Sequence, residues 1–320
     1  SGPLVPSKNV TIDASDAADL TVSGNHVDRV LIVDAGISVS IHGVTLADGY
    51  GWQLAGGILN NGALTLDHVT VAGNAMATDA GDFWQGGGGI YNGDGATLEL
   101  VDSSVADNTA GWSGGGVYSF FNTNTTIVRS TISGNLSNDV GGGIRMLGNA
   151  TIVNSTISGN TATGWYGGAI FHTDGVMEVL NSTIVDNASP DGVQAAVFVG
   201  TFNESSPDLV LTNTIVGNNP GPQCIVYYSG AGMPELISGG HNIASDDTCN
   251  LIATGDQQST DPLIGPLADN GGPTLTHALL AGSPAIDAAD DAVCPATDQR
   301  GVTRPQGAGC DVGAYEYIPE

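Results

Sequence analysis

The chain has 320 residues, of which 33 are acidic and only 6 are Lys or Arg, for a formal net charge of −27 at pH 7. That balance excludes nucleic acid and anionic membrane as natural partners, because phosphate binding draws its affinity from clustered cations; calcium, a salty medium or neutral polysaccharide suits such a surface better, and the charge also keeps a long β-protein soluble. No run approaches the roughly 18 apolar residues of a membrane helix, so no membrane insertion is expected, and 48 glycines against 14 prolines indicate tight turns rather than a disordered tail.

No secretory leader precedes Ser1, as expected of a secreted chain whose leader has been removed. Strand-like Val10-Thr11-Ile12 follows almost at once, leaving little chain for a cap unless residues 1–9 fold over the end or more chain has been trimmed away. An uncapped first coil would offer unpaired strand edges to a second copy, and a head-to-tail contact of that kind builds a filament.

Between residues 58 and 218 one pattern recurs six times: a Gly-Gly pair, a short apolar run, a Thr/Val-rich run and a Gly-Asn or Asp-Asn turn. Ile90, Val117, Ile144, Ile170 and Val197 follow one another by 27, 27, 26 and 27 residues, and the turn asparagines Asn74, Asn108, Asn135, Asn160, Asn187 and Asn218 keep nearly the same beat. A period in the twenties built from β-branched residues, without helical spacing, describes one coil of a β-solenoid. Alternation places Leu66, Leu100, Ile127, Ile152 and Val179 inward as a core ladder. The turn asparagines are expected to tolerate the left-handed conformation and to bond to the asparagines above and below.

Trp52, Trp84, Trp112 and Trp165 all lie just upstream of a Gly-Gly pair, at offsets of four, two, two and two residues. In stacked coils that loop recurs on one edge, where the four indoles with Tyr50, Phe83 and Tyr166 form an aromatic strip. Indole faces stack on sugar rings and anchor protein interfaces; the alternative is that the rings lie over the Gly-Gly backbone and seal the edge. A polar column of His68, Asp102, Arg129, Asn154 and Asn181, with Asn213 displaced by one residue, runs elsewhere on the coils, and Asp102 and Arg129 are placed for an ion pair.

A glycoside hydrolase needs at least two carboxylates in one cleft, and a lyase acting on uronates needs cations or calcium. Asp79, Asp82, Asp94, Asp139 and Asp174 lie nearest the aromatic loops, with His172 on the strand after Trp165, but no spacing forces any two to converge. Asp82, Asp139, Asp174 and His172 are the catalytic candidates. Asn154-Ser155-Thr156 and Asn181-Ser182-Thr183 read as ladder residues rather than glycan acceptors.

The four cysteines lie in the last third of the chain, an even number that fits two disulfides in an oxidising compartment. Cys224 and Cys249 are about one coil apart, and Cys294 with Cys310 would close a loop around Asp298-Gln299-Arg300-Gly301. Reduced thiols or a cysteine metal site stay open at this stage, as do the connectivity and calcium.

Segments such as Gly167-Gly168-Ala169-Ile170 resemble the repeats of polymorphic outer-membrane proteins and related bacterial surface right-handed β-helices. Asp261-Pro262-Leu263, Leu267-Ala268-Asp269-Asn270-Gly271-Gly272-Pro273-Thr274, Gly282-Ser283-Pro284-Ala285-Ile286-Asp287, Asp298-Gln299-Arg300-Gly301 and the run from Cys310 to Glu316 resemble the choice-of-anchor C-terminal region of secreted bacterial β-helix proteins. The resemblance implies right-handedness and display on a bacterial surface, with no catalytic residues to carry over; the chain stops at Pro319-Glu320 without the sorting motif or apolar anchor of that pattern. The expectation is an all-β right-handed single-stranded parallel β-helix of about nine or ten coils over residues 1–245, with a disulfide-tied cap or anchor-like region over 246–320. Its expected role is an extracellular structural or adhesive protein contacting polysaccharide or copies of itself, with no cofactor unless calcium, and with a polysaccharide hydrolase or calcium-dependent lyase as the alternative.

Overall fold

Each repeat folds into one coil of three or four short strands, and residues 90–110 show the full form. Ile90–Asn92 lies in sheet I, Thr97–Val101 in sheet II, Ser104–Ala106 in sheet III and Thr109–Ala110 in sheet IV, after which the chain re-enters sheet I one rung on at Val117–Ser119. The computed structural model describes residues 2–17, 19–77, 85–189, 194–201, 205–229 and 232–319. Among these the four sheets hold eight, nine, nine and five strands, all neighbours are parallel, and no helix occurs. The eight to nine rungs among the described residues come close to the expected nine or ten coils.

Alternation decides what faces the core. Along Thr97–Val101, Leu98 and Leu100 are buried while Thr97 and Glu99 are exposed. Leu66, Leu100, Ile127, Ile152 and Val179 stack in register as one inward ladder, as do Ile90, Val117, Ile144, Ile170 and Val197. Each is at most 1% exposed, so the ladders form one continuous apolar filling, worth roughly 1.5–3 kcal/mol per side chain against leaving it in water.

The asparagine ladder also forms, with two differences from expectation. Asn74, Asn108, Asn135, Asn160 and Asn187 each donate Nδ2–H to the Oδ1 of the next at 2.8–3.1 Å, but the sixth member is Asn219, not Asn218. The left-handed backbone belongs to the preceding residue: Gly73, Asp107, Gly134, Gly159, Asp186 and the exposed Asn218 have φ between 55° and 67°. That residue bends the chain outward, which frees the asparagine to point in and satisfy buried backbone groups. A similar demand explains the glycines of the loop before sheet I. Gly114 is left-handed at φ 65°, and a Cβ on Gly115 would collide with the carbonyl oxygen of Gly142 on the next rung.

Residues after 245 do two jobs. The first stretch closes the end of the core: Cys249 and Leu251 join the central apolar cluster, Gln257 bridges Ile243, and the Cys224–Cys249 disulfide spans 4.8 Å between Cα atoms, the spacing of one rung. The remainder runs back along the outside of sheet III as an arm, tied by Cys294–Cys310. Thr131 donates to the Leu275 carbonyl, Ser158 pairs with His277, the Ala314 N–H donates to Thr183, and Asn213 both donates to and accepts from the Asp290 backbone. Val185, Ile215, Ile243, Leu279, Ala285 and Val312 form a second apolar cluster beneath it. The sheet III strands record its reach: Thr45–Ala47, Thr70–Ala72 and Ser104–Ala106 bury only their middle residue, whereas Thr156–Ser158, Thr183–Val185 and Ile215–Gly217 are buried throughout.

Candidate functional site

The aromatic edge lies where the chain leaves sheet IV for sheet I. Tyr50 and Trp52 are on the strand Tyr50–Trp52, whose register partner is Ala75–Ala77. Trp52 is 52% exposed, Trp165 56% and Tyr50 37%. Trp112 is half-buried. Tyr166 is half-buried and stacks on Phe198 at 5.1 Å, so it packs against sheet I rather than presenting a free face. Trp84, Phe83, Asp79 and Asp82 lie outside the described residues. Among the described residues the strip is thus a composite, with Trp52 and Trp165 facing solvent, Trp112 half-buried and Tyr166 packed on Phe198.

Asp139 occupies the same edge. Its backbone N–H donates to the Trp112 carbonyl and its own carbonyl accepts from the Trp165 N–H, so Trp112, Asp139 and Trp165 stand on consecutive rungs. Burial pushes the Asp139 carboxyl up, and the Arg145 guanidinium draws it part of the way back. Arg145 reaches this region from the outer face of sheet I, donating to the Ser113 hydroxyl at 2.8 Å between the Tyr118 and Phe171 rings.

His172 and Asp174 do not join Asp139 on that edge. His172 is fully buried, its Nε2 lies 3.1 Å from the Gly175 carbonyl and 3.2 Å from that of Asp208, and burial drives its imidazole down to about 4. A neutral ring fixed to two carbonyls is a turn staple, not an acid or base facing substrate. Asp174 accepts the N–H of Gly175 in the turn between sheets I and II. Asp94 likewise serves its turn, accepting from the Asn122 amide.

The polar column sits at the corner between sheets II and III, and every member is left-handed: His68, Asp102, Arg129, Asn154, Asn181 and Asn213 have φ of 44–53°. Arg129 grips both carboxylate oxygens of Asp102, Nε to Oδ1 at 2.8 Å and a terminal nitrogen to Oδ2 at 2.6 Å, which raises the guanidinium further. Farther along, the column is the landing strip of the arm, with Asn154 donating to the Thr297 carbonyl and Asn181 to that of Asp311. At its other end His68 meets Asp67 at 2.7 Å, and Asp67 meets His42 at 3.1 Å. Burial pushes the Asp67 carboxyl up, but the hydrogen bonds to His68 and His42 overcome it and leave it below its ordinary value.

Several of these residues escaped the sequence reading. The outer face of sheet I carries its own ladder of Tyr91, Tyr118, Arg145, Phe171 and Phe198, signalled by the residue after each apolar position that follows Gly-Gly. The hydroxyls of Ser103, Ser130, Ser155 and Ser182 cap the N–H groups of Val69, Ser103, Ser130 and Ser155 along the corner. Gln299, within Asp298-Gln299-Arg300-Gly301, bonds to Thr131, Thr156 and Thr274 and rivets the arm to two rungs.

Four parallel sheets wound around one apolar filling define a β-solenoid. The profile of the family described as right handed beta helix region matches residues 57–237, more than half of the chain, and the chain belongs to that family. Comparison with curated proteins and with solved structures gives no match. Within the arm, Arg300 pairs with Asp298 and Arg304 with Glu316, all four side chains buried.

Proposed function

We propose that the chain is an extracellular β-helix of the structural or adhesive kind, displayed on a bacterial surface and presenting its tryptophan edge to neutral polysaccharide. The observation that carries this reading is the pair Trp52 and Trp165, both more than half exposed on one edge. They stand four rungs apart, roughly 19 Å at about 4.8 Å per rung, so a polymer lying along the solenoid axis meets both. Two disulfides and the β-helix fold are compatible with an extracellular setting. Binding to polysaccharides should fall at least tenfold in Trp52→Ala and in Trp165→Ala, read by calorimetry on ligands chosen from a glycan array. Unchanged binding in both variants would overturn the reading.

Asp139 favours hydrolysis as a second reading. A carboxyl raised by burial beside the exposed Trp165 indole has the character of a general acid, one of the two carboxylates such a reaction needs. In that case Asp139→Asn abolishes release of reducing ends while leaving binding intact, whereas the adhesive reading has no such activity to lose.

Self-association through the first coil belongs to the leading proposal. Leu4, Val5, Leu20 and Val27 are 41–72% exposed there, while the far end of the core is closed around Cys249 and Leu251. Exposed apolar side chains gathered on the first coil favour a closed pair of first coils over the head-to-tail filament. Sedimentation should stop at the dimer, and Ile12→Lys should return it to monomer.

A further inference from the structure

We propose that His42, Asp67 and His68 form a binding site for a divalent transition metal of the zinc type, bridging two rungs near the first coil. His42 and Asp67 are register partners on adjacent strands of sheet II, so the solenoid itself sets their side chains one rung apart on the same outward column. His68 follows Asp67, and its left-handed backbone at φ 53° brings its ring back beside them. One ligand atom from each of the three residues lies within 4.8 Å of the others, and the two rings stand 5.1 Å apart. Around a tetrahedral ion with ligands at about 2.0–2.1 Å, neighbouring donors are some 3.4 Å apart, so small ring rotations complete the set.

The surroundings leave these three residues available. Asp102, the next member of the corner column, has both oxygens held by Arg129. Asp13, stacked below His42 in register, accepts the N–H of Ser15 and adds negative charge without crowding the rings. Each of the three side chains is between one third and one half exposed, so an ion keeps an open position for water. Two imidazoles and one carboxylate select zinc, cobalt, nickel or copper over calcium, which takes six to eight oxygen ligands. The net charge of −27 supplies the long-range attraction for a cation, and the His/Asp trio supplies the selectivity.

The test is titration of the full chain, stripped with a chelator, with Co²⁺ and with Zn²⁺. Co²⁺ is expected to give a visible ligand-field band at one equivalent that Zn²⁺ abolishes and millimolar Ca²⁺ does not. His42→Gln and His68→Gln should each weaken Zn²⁺ binding at least tenfold, while His26→Gln, an exposed histidine beside Asp48, should leave it unchanged. Circular dichroism confirms that each variant keeps its β signature, and Asp67→Asn provides a further variant of the same site. Absence of a Co²⁺ band, a band that survives in the His42→Gln/His68→Gln double variant, or displacement by Ca²⁺ at equal concentration would each overturn the proposal.

Discussion

A single asparagine in the turn ladder satisfies more groups than its size implies. Asn135 donates to the Asn160 Oδ1 and to the Val105 carbonyl, and its own Oδ1 accepts both the amide and the backbone N–H of Asn108. Asn135→Ala strands these partners in a buried site and should cost about 2–4 kcal/mol in urea unfolding. Asn218→Ala removes an exposed side chain from a left-handed position and should cost only about 1 kcal/mol, with Asn218→Gly near neutral. Equal losses at 135 and 218 would mean that the ladder is not what holds the turn. His172 adds a pH dependence. Its folded pKa of about 4 lies below the ordinary 6.5, so the folded state resists the proton that the unfolded chain accepts. The stability this provides is complete above pH 6.5, declines as pH falls and is gone below about 4, a total of about 3 kcal/mol. The urea midpoint of His172→Gln should therefore fall less steeply than that of the natural chain between pH 7 and pH 4.5.

The arm binds sheet III through polar hooks as much as through apolar area, and Gln299 is the hook with the most partners. Gln299→Ala removes the side chain that joins Thr131, Thr156 and Thr274, and should expose residues 261–300 to proteases at least tenfold faster while the β-sheet signal persists. No change in cleavage would show that the Val185, Ile215 and Leu279 cluster suffices alone. The coils were legible in the sequence because a repeated element repeats its constraints: Leu66 and Leu100 recur for the same reason, and the periodicity exposes it. The arm was not legible, because Gln299 and Thr131 are 168 residues apart and neither belongs to the repeat. The asparagine register slipped by one at Asn218-Asn219 for a related reason, since the last full coil replaces Gly or Asp with a second asparagine and the two cannot be told apart by type. Among the described edge residues, the positions of Trp52, Trp112 and Trp165 were readable but their exposure was not: Trp165 and Tyr166 are sequence neighbours, yet one faces water and the other stacks on Phe198.

At the scale of the whole molecule, a solenoid is stabilised by contacts between neighbouring rungs, so unfolding starts wherever those contacts have the least support. The arm divides the rungs into two groups. Its hydrogen bonds run from the Arg129 carbonyl, which accepts from Thr274, to His241, which pairs with the Ala288 carbonyl. Rungs between those points are held both by stacking and by a strap tying non-neighbours together. Among the described residues, the sheet III strands before Thr131 receive no such bond and bury only their inward residue. Opening the strapped group requires release of the arm with its apolar cluster, whereas the earlier rungs open by fraying one at a time. Native-state hydrogen exchange should then show sheet II and III amides of residues 38–106 opening at lower free energy than those of residues 131–217. Gln299→Ala should narrow that gap by lowering the second group alone. Equal protection in both groups of the natural chain would mean that stacking by itself sets the stability and that the arm only covers a surface.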